Sequence, residues 1–157
     1  MLQIATLAEV ELLCKDDPVR PAIPAHWRVQ ENLREVYCSE IDGVVWHLPV
    51  VGAVLCVAYT QELPTSEEEL LSVRSGQNFA IFYSVWSNKK GQGKKIVKDV
   101  SRLLSSQHEN IKRGMRYITL SPKTTMAMNF HIKNGAKLLQ ENPLTYNFEY
   151  EMNHHAQ

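Results

Sequence analysis

The stretch "FAIFYSVWSNKKGQGKKIVKDVSRLL", residues 79–104, most narrows the folds open to this chain. "FAIFYSVWS" is dense in β-branched and aromatic residues and reads as a strand. Beyond "NKKGQG", Ile96, Val97, Val100, Leu103 and Leu104 fall at spacings of one, four, seven and eight, the apolar stripe of an amphipathic helix. A strand that enters a helix through a glycine turn gathers free backbone N–H groups at one point, which makes an anion site. Gly91 and Gly93 permit positive φ and close backbone approach, while Lys89, Lys90, Lys94 and Lys95 add charge without fixed geometry. A pyrophosphate is the natural guest. No GK[ST] follows the second glycine and no third glycine is present, so the turn is neither a Walker loop nor a dinucleotide fingerprint. A plain β–α connection is the competing reading.

The rest of the chain alternates in the same way. Thr6 is a plausible N-cap for a short helix in "TLAEVELLCKDD", and "DPVRPAIPAHW", with three prolines in seven residues, is an extended linker or lid whose His26 and Trp27 line a site or close the core. "REVYCSEIDGVVWHLPVVGAVLCVAYT" reads as strands with an Asp42–Gly43 hairpin signal and a central strand within Val50–Tyr59. "LPTSEEELLSV" starts a helix at Thr65 or Ser66. "RYITLS" is a strand, "TTMAMNFHIKNG" a helix ended by Asn134–Gly135, and "AKLLQ" and "TYNFEYEM" are two closing strands. The pattern predicts one domain over 1–157, of α/β or α+β class, with a sheet flanked by helices on both faces and a frayed tail from 152.

Charge adds a local feature. Basic and acidic residues balance at 17 each, yet nine of the basic ones fall within 88–116 against Asp99 and Glu109. Aromatic interleaving is sparse there, so nucleic acid is not the expected partner. Cys14, Cys38 and Cys56 are odd in number and lack CxxC spacing, which predicts reduced thiols and no zinc site. No apolar run reaches the roughly 18 residues of a membrane span, and the N-terminus has no basic region before its apolar residues, so a soluble cytoplasmic protein is expected. The apolar "VVWHLPVVGAVLCVAY" leaves a strand edge for pairing in a homodimer.

Two phrases in order, "NKKGQG" at 88–93 and "FHIKNGAKLL" at 130–139, resemble the Q/R-x-x-G-x-G/A turn and the "YxxxGF" helix end of the GNAT acyltransferase superfamily, with Asn88 for the usual Gln or Arg and His131 for the usual Tyr. The resemblance implies a mixed, mostly antiparallel central sheet. A nearer likeness is to the GNAT-like catalytic domain of malonyl-CoA decarboxylase. Its counterparts here are "FYSVWSNKKGQG", "TLSP" at 119–122, "NFHIKNGA" at 129–136 and "NFEY" at 147–150, over roughly residues 44–152, without that enzyme's helical N-terminal domain. The arrangement is also similar to small acyltransferase-like proteins of bacteriophages, for which the location would be the host cytoplasm.

The resemblance implies acetyl-CoA or another acyl-CoA as co-substrate and no metal. Backbone groups of Ser84, Val85 and Trp86, on a strand that splays from its neighbour, would pair with the pantetheine arm. Lys89 and the amides of Lys90, Gly91, Gln92, Gly93 and Lys94 would hold the pyrophosphate, and Asn129 joins the cofactor set. His131 takes the place of the general acid that protonates the departing thiolate. Ser121 would hydrogen-bond an acyl carboxylate in a decarboxylase-type reaction. Helix capping is the structural alternative for Thr119, Ser121 and Thr124, and core packing for Asn147 and Tyr150.

Amine acetylation also needs a base, and "FAIFYSVWS" carries no carboxylate, leaving Tyr83, His47 or a water chain. Three readings follow: an acyltransferase acting on an unidentified amine, a malonyl-CoA decarboxylase-like lyase, and a non-catalytic binding protein of the same fold. The acceptor would be met by the loops 16–30, 60–78 and 140–146.

Overall fold

The computed structural model describes residues 2–39, 44–45, 48–49 and 51–152. The Asp42–Gly43 turn signal, His47 and the tail from 153 onward lie outside the described residues. No helix among the described residues is long and apolar enough to cross a membrane.

Eight strands form one sheet in the order β1 (Leu2–Ile4), β2 (Arg34–Ser39), β5 (Ala53–Thr60), β6 (Phe79–Ser87), β7 (Arg116–Thr119), β10 (Thr145–Tyr150) and β8 (Ser121–Pro122), with β9 (Lys137–Glu141) on β10. The described ladders of this sheet are antiparallel except that of β6 with β7, whose parallel register requires a crossover. The crossover contains α4 (Gln92–Ser105). Ile96, Val97, Val100 and Leu104 are buried on it as the spacing predicts, but Leu103 is 41% exposed. The chain resolves into two compact units, Met1–Ala58 with Tyr83–Val100, and Tyr59–Phe82 with Ser101–Gln157.

In the first unit, β1 pairs with β2, a strand that three residues of sequence were too short to signal. Thr6 and Glu9 form a reciprocal capping box that starts α1 (Leu7–Leu13), which turns Val10 and Leu13 inward. The lid-like segment after α1 ends in a single helical turn, α2 (Ala25–Arg28). Every residue of β5 is buried, which explains its unbroken apolar run. A separate small hairpin joins β3 (Val44–Val45) and β4 (Leu48–Pro49).

The second unit contains α3 (Glu67–Ser72), N-capped by Ser66, and the single-turn-scale α5 (His108–Arg113), which the sequence reading omitted because its apolar content is low. Gly114, at φ 69, closes α5, and buried Asn110 ties it to the end of α4 through the Leu104 carbonyl at 2.8 Å. Thr124 caps α6 (Thr125–Lys133), and Gly135 at φ 97 lets the chain leave it for the β9–β10 hairpin.

Candidate functional site

The ladder between β6 and β7 runs from Phe79↔Arg116 to Phe82↔Thr119, and the Leu120 amide closes it on the Phe82 carbonyl at 3.0 Å. Tyr83–Ser87 continue past that point. Along this half-strand Ser84 is buried, whereas Val85 and Trp86 are half-buried. The turn that follows is anchored at its start. The Asn88 amide donates to the Gly52 carbonyl at 3.0 Å, its side-chain amide to the Val51 carbonyl at 3.4 Å, and the Ser87 hydroxyl to the Lys89 carbonyl at 2.9 Å. Gly91 then takes φ 83, a left-handed conformation that a side chain would disfavour. The Gln92 amide donates to the Lys89 carbonyl and the Lys95 amide to the Gly91 carbonyl, each at 3.2 Å. Gln92 is thus a correction to the set of five anion-facing amides, because its N–H closes the turn itself. Lys95 is paired with Asp99 at 2.6 Å, one helical turn on.

Behind the half-strand lies a buried ionic cluster. Arg28 is 0% exposed and donates to Asp17 Oδ2 at 2.6 Å, to the Ile23 carbonyl, to the Arg20 carbonyl at 2.7 Å and to Cys56 Sγ at 3.4 Å. The Asp17 carboxylate also accepts from the Ser84 hydroxyl, at 2.9 Å to each oxygen, and from the amides of Val19 and Arg20. A buried ion pair persists only when its remaining hydrogen-bonding capacity is used in this way. The cluster therefore fixes the proline-rich segment against β6. Trp27 packs edge-on against Tyr83 with ring centroids 5.6 Å apart, so it closes the core, and His26 is exposed. Tyr83 cannot serve as the missing base: burial pushes its phenol well above the ordinary range, and its hydroxyl has no hydrogen-bond partner of ordinary geometry.

In the second unit, Tyr146, Phe148 and Tyr150 alternate along β10 and share one face. His131, near the end of α6 and 4% exposed, sits against that face. Its Nδ1 is 2.7 Å from the Tyr150 hydroxyl, and its ring lies 5.3 Å from that of Phe148 and 4.9 Å from that of Phe130. The Asn134 side-chain amide approaches the same Tyr150 oxygen at 3.4 Å. The amide nitrogen can only donate there, so the phenol proton is available to His131 Nδ1; when Nδ1 accepts it, the histidine proton lies on Nε2. Burial lowers the His131 pKa to about 4. The ring is accordingly neutral near pH 7.

Ser121 pairs with Tyr146 across the ladder, on the same face, and is buried. Its hydroxyl donates to Thr119 Oγ1 at 2.8 Å, and that oxygen also accepts the Phe148 amide at 3.1 Å. Thr124 alone of the three hydroxyls caps the helix. Asn147 points to the opposite face, where it donates to the Pro64 and Thr119 carbonyls and accepts from Asn142. That is a structural clamp. Asn129 lies exposed on α6.

No protein-family model and no curated protein matches the sequence. Solved structures do match. Malonyl-CoA decarboxylase from Rhodopseudomonas palustris superposes with a TM-score of 0.63 at 16% identity over 96% of this chain and 56% of that one, so the chain spans about half of that enzyme's length. The GNAT domain of S. lividans PAT gives 0.62 at 11% identity over 96% and 89%. The chain has the GNAT fold. Arabidopsis thaliana NAA60, in complex with acetyl-CoA, agrees with this at a TM-score of 0.59 and 13% identity over 96% of this chain and 97% of that one.

Within the GNAT fold, Ser84, Val85, Trp86 and residues 89–94 all fall on one half-strand and its turn in the first unit. His131, Ser121 and Tyr150 fall on one sheet face in the second. Among the described residues no group of three or more His, Cys, Asp or Glu is disposed to hold a metal. The sequence reading missed the Asp17–Arg28–Ser84 cluster. Its one local signal was Asp17 before Pro18, which favours the turn in which an Asp side chain caps the amides two and three residues on.

Proposed function

We propose that this protein is an acyl-CoA-dependent acyltransferase that moves an acetyl or similar group to an amine. The observation that carries the reading is β6 leaving β7 at Phe82 and running on, as a half-strand, into a positive-φ glycine turn at the start of a long helix. A half-strand past its ladder suits the amide-rich pantetheine arm, by strand addition at Val85 and Trp86. The turn suits a pyrophosphate through the amides of Lys90, Gly91, Gly93 and Lys94, with Lys89 and Lys94 supplying charge.

On this reading His131 acts as a neutral hydrogen-bond donor. Its Nε2–H stabilises negative charge that develops on the thioester during transfer, while Tyr150 holds Nδ1 and so the tautomer. Ser121 lends a second polar group on the same face. The acceptor amine requires a base, and the exclusion of Tyr83 leaves His47 or a water chain for that step. The same exclusion favours a second reading, a malonyl-CoA decarboxylase-like lyase, in which a neutral imidazole steadies an enolate and no external amine is needed.

Calorimetric titration with CoA, acetyl-CoA and malonyl-CoA, followed by mass spectrometry of products, separates these. Amine-dependent release of CoA that His131→Ala reduces supports the transferase. Acceptor-free conversion of malonyl-CoA to acetyl-CoA supports the lyase. A protein that ignores all three is a non-catalytic use of the fold.

A further inference from the structure

Tyr83 and Ser84, the first two residues of β6 beyond its ladder with β7, are both held by the proline-rich segment. Arg20 Nε donates to the Tyr83 carbonyl at 3.3 Å, and the Ser84 hydroxyl donates to Asp17 at 2.9 Å to each oxygen. The Trp27 ring adds its edge-on contact with Tyr83. Asp17, Arg20, Arg28 and Ser84 are all buried. The holding groups are themselves fixed. Asp17 Oδ1 accepts the Val19 and Arg20 amides at 2.7 and 2.9 Å, and Arg28 donates to the Arg20 and Ile23 carbonyls at 2.7 and 2.9 Å. Pro18, Pro21 and Pro24 lock φ between these contacts. A strand that has run past a neighbouring strand has fewer ladder bonds to hold its path, and such stretches open locally at low cost. In this protein buried side chains supply the missing restraint.

We propose that the segment Asp17–Arg28 is a brace that preorganises the half-strand Tyr83–Ser87 for the pantetheine arm of an acyl-CoA, with Asp17 and Arg20 as its positioning residues. The inference rests on the acyl-CoA reading of that half-strand. A ligand that adds as a strand needs backbone N–H and C=O groups already in line, and ordering them during binding is subtracted from affinity. Arg20 acts on the Tyr83 carbonyl and Asp17 on the Ser84 side chain, directly before Val85 and Trp86, the residues read as pairing with the arm. The turn that follows has a different anchor, Asn88 on the Gly52 and Val51 carbonyls. The brace therefore governs the arm and leaves the diphosphate end of the ligand to the turn.

The test is calorimetric titration of wild type, Ser84→Ala and Arg20→Met with CoA and with ADP, which carries a diphosphate and no arm. Each substitution removes one contact to the half-strand and leaves the Asp17–Arg28 pair in place. Affinity for CoA should fall roughly tenfold in either variant, about the worth of one buried hydrogen bond. Affinity for ADP should stay as in wild type, which also reports that the variants are folded. Ser84→Thr keeps the hydroxyl and should recover most of the CoA affinity. Equal losses for CoA and ADP, as a general loosening would give, would overturn the proposal. So would variants that bind CoA as tightly as a wild type that itself binds it, and that result leaves the acyl-CoA reading standing. A wild type that does not bind CoA overturns that reading and this inference together.

Discussion

The Tyr150 hydroxyl lies 2.7 Å from His131 Nδ1, and this contact joins the C-terminal strand to the helix that ends in "NFHIKNGA". It fixes which ring nitrogen faces the phenol, and burial keeps the ring neutral.

Tyr150→Phe removes the phenol and frees the imidazole to change tautomer. Acyl-CoA turnover should fall by roughly tenfold to a hundredfold in kcat, with CoA affinity nearly unchanged, because a tautomer-fixing contact acts on the chemical step. Steady-state kinetics beside calorimetric CoA binding measure the split.

Stability should depend on His131. Its pKa is lowered from 6.5 to about 4 on folding, so the unfolded chain binds the extra proton first. The stabilisation is fully present above pH 6.5 and is lost as pH falls from 6.5 toward 4, by about 3 kcal/mol in all. Urea titrations at several pH values check this, and His131→Gln should remove most of that slope.

The Asp17–Arg28 pair tests the buried cluster. Asp17→Ala leaves a buried guanidinium and the Ser84 hydroxyl without their acceptor, and should cost roughly 3–5 kcal/mol. Asp17→Asn keeps acceptor geometry for Ser84 and should cost less. Equal losses from the two substitutions, in chemical denaturation, would mean that charge neutralisation rather than hydrogen bonding holds the segment.

Gly91→Ala places a side chain at φ 83. The substitution should cost about 1 kcal/mol of stability. Because the strain falls in the turn, acyl-CoA binding should weaken more than stability does. Calorimetry and thermal unfolding of the same sample compare the two effects.

Asn147→Ala removes an amide that meets two carbonyls and a second asparagine inside the protein, and should destabilise by about 1–3 kcal/mol through the groups left unpaired. Thermal unfolding reads the loss.

The sequence by itself determined the parts that depend on short-range physics. An apolar run marked β5, β-branched and aromatic residues marked β6, periodicity marked α4, and the residue types at Thr6, Ser66, Thr124 and Gly135 set where helices start and stop, because a cap satisfies backbone groups a few residues away. The order of strand, glycine turn and helix that defines the candidate site was legible for the same reason. Tertiary structure alone decided the rest. β1 is too short to show a period, and α5 too polar. The Asp17, Arg28 and Ser84 cluster joins positions up to 67 apart in the chain, which spacing cannot reveal. The pairing of His131 with Tyr150 needed the tertiary contact, and the neutral state of that histidine needed the removal of water around it. Charge state is a property of the surroundings that folding assembles, and a sequence names only the group that will titrate.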